Sequence, residues 1–173
     1  MPQDELYEEV AGIFGAAIGR LARSYEADAD ARRDLLQDIH FALWRSLAKF
    51  DRKCSLRTWV YRVAHNVAAS HVLKRRRARS NALLSLADVE DLPASGEETA
   101  SSADRQLTLD KLYRLIQELQ VVDREVILLY LEGLDGASIA EITGISSQNV
   151  ATKIHRLKKI LSSRFTKGGR HEQ

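Results

Sequence analysis

From Leu6 to Leu21 apolar side chains return every three or four positions, at Leu6, Val10, Ile13, Phe14, Ala17, Ile18 and Leu21. That spacing lays a stripe along one face of a helix. A second helix is predicted from an N-cap at Asp30 to about Leu47, with Leu36, Ile39, Leu43 and Leu47 turned to the core. A third begins near Ser55, points Leu56, Trp59, Val60, Val63 and Val67 inward, and runs into the basic stretch KRRRAR. Three helices on short connections make a compact bundle. Beyond residue 105, Leu109, Leu112, Ile116 and Leu119 stripe a fourth helix. Asp123 is expected to cap a fifth, which holds Val126, Ile127, Tyr130 and Leu131 and stops at Gly133.

After Asp135 a short helix carries Ile139, Ala140 and Ile142, Gly144 supplies the positive φ of a tight turn, and Ser146 caps the last helix. Small Ala140 lets the two helices cross closely, and Val150, Ile154, Leu157 and Ile160 or Leu161 anchor the second. Gln148, Asn149, Thr152, Lys153 and Arg156 are left outside. Amide, hydroxyl and cationic groups in that arrangement suit base edges and phosphates in a major groove, so the pair reads as a helix-turn-helix.

No alternating strand pattern and no internal repeat interrupts this reading. The expected fold class is therefore all-α: two small helical domains, an N-terminal three-helix bundle and a C-terminal four-helix domain, joined by a flexible acidic linker. The expected boundaries are 1–79 and 105–165, with a tether at 80–104 and a frayed tail at 166–173. The tether, SNALLSLADVEDLPASGEETASSAD, is poor in large apolar residues in its second half. Such a segment cannot bury enough surface to offset the entropy of ordering.

Charge sharpens the division. The net charge of +2 conceals 15 Lys or Arg against 10 Asp or Glu in residues 1–79, none against 6 in 80–104, and 11 against 8 in 105–173. Two basic blocks on an acidic leash suit a polyanionic partner. No apolar run approaches the roughly 18 residues of a membrane span, and the opening MPQDELYEEV is acidic where a signal peptide would be basic, so a cytoplasmic location is expected. The single Cys54 can form neither an internal disulfide nor a metal knuckle, and no cofactor is expected. Beside Arg52 and Lys53, its thiol is a candidate for redox sensitivity.

The stretch FDRKCSLRTWVYRVAHNVAASHVLKRRR interleaves Trp59, Tyr61 and His65 with Arg57, Arg62 and Asn66. Aromatic faces stack on unpaired bases while cations follow phosphates, which is single-strand binding chemistry. Trp59 lies on the apolar stripe and reads as a core anchor, leaving Tyr61 and Asn66 as the better candidates for DNA.

At this point the residues resemble the sigma factors of bacterial RNA polymerase, in the compact extracytoplasmic-function group. DLLQDIHFALW (34–44), FDRKCSLRTWVYRVAHNVA (50–68) and DREVILLYLEGLDGASIAEITGISSQNVATKIHRLKKIL (123–161) look like that group's segments of the second and fourth sigma regions, in the same order. The resemblance implies a subunit that directs core polymerase to promoters, reading the −35 and −10 elements and helping to melt the DNA. It implies polymerase contact at Asp34, Leu35, Gln37, Asp38, Phe41 and Arg45, against the clamp of the largest subunit. The flap of the second subunit is a further expected contact. The melted element would meet Phe50, Asp51, Arg52, Lys53, Ser55, Arg57, Tyr61, Arg62, Asn66, Lys74, Arg75 and Arg76. The upstream duplex would meet Gln148, Asn149, Thr152, Lys153, Arg156, Lys158 and Lys159. The resemblance also implies an anti-sigma partner, and for the tether a path near the polymerase cleft.

Departures from the family pattern fall at Ala151, at Gln148-Asn149 and at His40, which reads as a packed neutral histidine. Two other classes are weighed. A helix-turn-helix repressor or activator would bind duplex DNA alone, but has little use for the 50–77 segment. An enzyme is not expected: His40 lies about 200° around the helix from Asp38, spoiling a metal cluster, and no phosphate loop or nucleophile-base pair is present.

Overall fold

The computed structural model describes residues 3–83 and 100–167, and these form seven helices and no strand. Helices α1 (Gln3–Tyr25), α2 (Ala29–Leu47) and α3 (Leu56–Leu83) make the first lobe; α4 (Ala100–Gln117), α5 (Val121–Leu131), α6 (Gly136–Thr143) and α7 (Ser147–Lys167) make the second. Helix α3 runs four residues past the expected boundary at 79, and α4 begins before residue 105. The rest of the expected tether, 84–99, lies outside the described residues, as do 168–173 of the tail.

The stripe of α1 packs Val10, Ala17, Ile18, Leu21 and Ala22 against its neighbours, while Ile13 is 63% exposed, contrary to expectation. At 100° per residue Ile13 lies about 95° from the mean direction of the buried set, at the edge of the stripe. Helix α2 starts two residues earlier than expected: Asp28, not Asp30, is the N-cap, its carboxylate accepting from Ala31 N at 2.8 Å. Asp30 falls in the first turn and pairs with Arg33 at 3.0 Å. The buried face of α2 is Leu35, Ile39, Leu43 and Leu47, with Leu36 only partly buried beside it. Ser55 caps α3, its Oγ accepting from Thr58 N at 3.0 Å. Trp59 anchors the core margin, its indole N–H donating to Ser46 Oγ at 3.0 Å and its ring 5.3 Å from Phe50.

In the second lobe the turns follow their local chemistry. Gly133 (φ 78°) ends α5, with Leu134 N donating to Leu129 O at 3.1 Å and Gly133 N to Tyr130 O at 3.0 Å, a Schellman pattern closed by the buried side chain of Leu134. Asp135 caps α6 by accepting from Ser138 N at 2.7 Å, Gly144 ends it at φ 75°, and Ser146 Oγ accepts from Asn149 N at 3.2 Å to start α7. Two expectations fail. Leu131 is 52% exposed, because Leu128 and Leu129 face inward instead. Asp123 is not a cap: Gln120 holds that position, and Asp123 is buried in the first turn of α5.

The lobes touch. Arg20 of α1 makes two hydrogen bonds to Glu132, at 2.6 and 2.8 Å; Arg23 pairs with Asp110; and Gln117 Nε2 donates to Arg23 O at 2.7 Å. Beneath them Tyr25 and His65 are joined at 3.0 Å between Oη and Nδ1, with the Arg124 guanidinium 5.0 Å from the Tyr25 ring centre.

Full burial lowers the His65 pKa from 6.5 to about 3. Stability is expected to fall as pH drops below 6.5, because the unfolded imidazole takes up a proton that the folded one refuses, at up to about 1.4 kcal/mol per pH unit. Glu125 acts in the opposite sense: burial pushes its carboxyl up to about 7, so its contribution is complete below the ordinary carboxylate range and is lost as pH rises toward 7. Urea melts are expected to show a flatter acid limb in His65→Asn. Glu125→Gln is expected to gain about 1 kcal/mol over the parent at pH 8 and almost nothing at pH 4.

Candidate nucleic-acid interface

Helix α7 is held by Val150, Leu157 and Leu161, all buried, and by partly buried Ile154, against α5 and α6. This leaves Gln148, Asn149, Thr152, Arg156, Lys158 and Lys159 exposed, all but Lys158 within about 100° of arc around the helix, with Lys158 on the flank beside α5. Two of the expected DNA cations are already engaged. Lys153 Nζ lies 2.6 Å from Asp123 Oδ1, and Arg156 Nη2 binds Asp123 Oδ2. The carboxylate expected at a helix start thus fixes two side chains of α7. Lys153 is only partly exposed in consequence, whereas the Arg156 side chain keeps 54% exposure and still presents donors outward. Lys158 lies over the Tyr130 ring, 5.4 Å from its centre.

On the first lobe, Asp34, Gln37, Asp38, Phe41 and Arg45 all lie on the outer face of α2. Leu35, expected among them, is fully buried, since it begins the four-residue series through Ile39, Leu43 and Leu47 that packs the core. Phe41 is 57% exposed, its ring 6.3 Å from that of Trp44 in a stacked arrangement and 5.8 Å from the Arg45 guanidinium. Sequence reading missed the company this face keeps. Trp44 Nε1 donates to Asp4 at 2.8 Å, Tyr7 Oη meets His40 Nδ1 at 3.0 Å, and an open groove of about 540 Å³ runs between Tyr7, Gln37, Asp38, His40, Phe41 and Trp44. Burial lowers the His40 pKa, in keeping with the neutral packed residue expected. The apolar character of Trp44 and Tyr7 within an otherwise polar helical face was the available signal.

Between α2 and α3, Asp51, Arg52 and Lys53 project from an exposed loop, Asp51 and Lys53 paired at 2.7 Å. Arg52 has φ 60°, the only positive value at a non-glycine among the described residues. Phe50 is half-buried on Trp59, Ser55 is occupied as the α3 cap, and Cys54 is a half-buried free thiol. Along α3, Asn66, Lys74 and Arg76 are exposed. Tyr61 is not available to a base: it is 4% exposed, its ring packed edge-on to Phe14 and beside His65. An amphipathic tyrosine one turn from Arg57 and one residue from Arg62 reads equally well either way, and packing against α1 decides it. Arg75 is partnered by Glu26, which also takes His71 at 2.8 Å. Arg57 donates to Glu132 O at 3.3 Å and Arg62 to Glu141 O at 2.7 Å, both in the second lobe. Among the described residues no group of three His, Cys, Asp or Glu side chains is placed to hold a metal ion, and no helix is long and apolar enough to cross a membrane.

Comparison with known proteins agrees with this layout. The model of Sigma-70 region 2 matches residues 14–78, and that of Sigma-70 region 4 matches 109–161. The RNA polymerase sigma factor NccH of Alcaligenes xylosoxydans xylosoxydans is 29% identical over 157 residues, 86% of this chain and 81% of that protein. CnrH of Cupriavidus metallidurans is 28% identical over 169 residues, covering 91% and 85%. In three dimensions the chain resembles RpoE of Bartonella quintana, solved with the anti-sigma factor NepR, at a TM-score of 0.69 and 21% identity over 94% of this chain and 97% of that one. It also resembles CnrH solved with the cytosolic domain of CnrY, at 0.67 and 22% over 94% and 89%.

Asp123→Asn is expected to release Lys153 and Arg156. Fluorescence anisotropy with a duplex should then show a salt slope steeper by about one to two, each freed cation adding about 0.9, together with a loss of about 1–2 kcal/mol in stability.

Proposed function

The chain belongs to the extracytoplasmic-function sigma factors, proteins that direct RNA polymerase to promoters, and from that premise we propose how its two lobes divide the work. The observation that carries the assignment is the ordered match of region 2 and region 4 to the two lobes. A repressor that binds duplex DNA alone leaves the region 2 lobe unexplained.

The outer face of α2 is the proposed grip on the polymerase clamp, through Asp34, Gln37, Asp38, Phe41 and Arg45. Asp34, Asp38, Phe41 and Arg45 follow one another at spacings of four, three and four, so one helical face presents them together. Trp44, stacked on Phe41, extends the same apolar surface. Carboxylates around an exposed aromatic pair fit a basic, apolar partner helix.

The loop at 50–55 is proposed to hold a base extruded from the promoter. Extrusion costs a few kcal/mol, which stacking and edge hydrogen bonds offset, so strands separate without nucleotide hydrolysis and the chain needs no catalytic group of its own. The positive φ of Arg52 supports this use, since strained backbone gathers where a ligand is clamped. Exposed Asn66, Lys74 and Arg76 extend the strand path along α3. The upstream duplex is assigned to α7, where Gln148, Asn149, Thr152 and Arg156 face base edges and Lys158 and Lys159 face phosphates. The work of such a protein lies in the cytoplasm. An anti-sigma partner is proposed by analogy with the NepR and CnrY complexes of the similar structures.

The double variant Asp34→Ala/Asp38→Ala is expected to lower affinity for core polymerase at least tenfold in a pull-down titration, with runoff transcription falling in step and the thermal midpoint unmoved. Full association of that variant would remove the α2 grip. Failure of the unaltered chain to support runoff on any promoter would remove the whole reading.

A further inference from the structure

Asp123 stands on α5, yet both oxygens of its carboxylate face α7. Oδ1 takes Lys153 Nζ at 2.6 Å and Oδ2 takes Arg156 Nη2, one cation to each oxygen. The Asp123 side chain is 13% exposed, and a carboxylate so far from water is tolerated only with cations beside it. The two cations differ in place. At 100° per residue Lys153 lies about 40° around α7 from buried Leu157, and Arg156 about 100° from it. Lys153 therefore sits at the margin of the packed face with its side chain 30% exposed, while Arg156 stands on the outer arc with Gln148, Asn149 and Thr152. They differ in chemistry too. An ammonium is a point charge, and once turned to Asp123 it has little left for a phosphate. A guanidinium is a planar fork: one Nη2 hydrogen goes to Asp123, and one complete edge remains for a second acceptor.

We propose that Asp123 is a positioning residue for the upstream duplex: it fixes the Arg156 fork for a base edge and withholds Lys153 from the phosphates, so that α7 gives up sequence-independent affinity for selectivity. Lys153 is thereby moved out of the DNA-contacting set and into the support of Asp123. The inference rests on the assignment of α7 to the upstream duplex. A free cation on this helix would follow any phosphate and raise affinity for every sequence alike. A guanidinium held by a carboxylate meets only acceptors that come to its fixed edge, and a base with the wrong pattern leaves that edge unpaired. Both helices are anchored by buried side chains, Val126 and Ile127 on α5 and Val150 and Leu157 on α7, so the carboxylate is a fixed point.

The test uses the full chain bound to core polymerase on a promoter that supports runoff, with about 10 base pairs of its upstream element, one helical turn, randomised. Sequences retained by the unaltered chain are identified. Fluorescence anisotropy over a range of salt then gives the ratio of affinities for a retained and a scrambled element, with circular dichroism for folding. Asp123→Asn is expected to lower that ratio about tenfold, the discrimination carried by one well-placed base contact, and to tighten binding to the scrambled element. Lys153→Met is expected to leave the salt slope unchanged, whereas a Lys153 that touched phosphate would take about 0.9 from it and overturn the reassignment. A lower thermal midpoint in Asp123→Asn with an unchanged ratio makes Asp123 structural only and overturns the positioning role. Should Asp123→Asn fail to fold, Asp123→Leu/Lys153→Met replaces the carboxylate and its ammonium by apolar side chains, leaves Arg156 unheld, and is expected to show the same fall in the ratio. If the unaltered chain retains no preferred sequence, the assignment of α7 to the duplex falls as well; if it retains one and every folded variant keeps the ratio, only the positioning role falls.

Discussion

Tyr25, at the end of α1, is where the whole molecule is tied. Its hydroxyl meets His65 on α3, its ring carries the Arg124 guanidinium from α5, and the next residue, Glu26, gathers His71, Arg75 and the backbone N–H of Asp28. Arg124 in turn donates to the carbonyls of Gln117 and Leu119, closing the end of α4. A buried guanidinium tolerates its site only with such partners. Moving this one tyrosine would loosen the α1–α2 turn, the seat of α3 and the junction between lobes together. The His65 Nε2 and Arg124 Nε atoms are buried with no protein partner, so the node is under-satisfied as well as central, and a group in that state is costly to disturb further.

A second regularity is that several cations expected to meet DNA are already partnered within the chain. Asp123 holds Lys153 and Arg156, Glu26 holds Arg75, and helix-end carbonyls hold Arg57 and Arg62. Long basic side chains lose up to about 2 kcal/mol of rotamer freedom when fixed. Partners that share the residue's own lobe, such as Asp123, meet that cost in advance and preorganise the surface. Partners from the other lobe tie the two lobes together instead, and the distinction follows from which helix supplies the acceptor.

What the sequence made legible was local. Asp135, Gly133, Gly144 and Ser146 are read correctly because caps and positive-φ turns depend on residues within four positions of one another. The exposed face of α2 is likewise a matter of period. The errors are matters of phase or of distance. Leu35 and Leu36 are adjacent apolar residues, and only packing against α1 and α3 chooses between them; Ile13 fails for the same reason. Tyr61 is amphipathic and sides with the core once Phe14 closes over it. Asp123 pairs with residues 30 and 33 positions away, and Arg20 with one 112 away, separations at which one sequence carries no pairing signal.

The placement of the two faces on the first lobe bears on the order of events. The outer face of α2, with Phe41, Trp44 and the groove beside Tyr7, stays open in this arrangement. The arginines of α1 and of the start of α3 are engaged by α4, α5 and α6. A partner that docks on α2 therefore meets a ready surface and loses nothing to conformational selection. A ligand of the engaged arginines would meet only the fraction of molecules in which those contacts are open, so its apparent affinity would be reduced by that fraction, and of two such ligands the one for α2 would bind first.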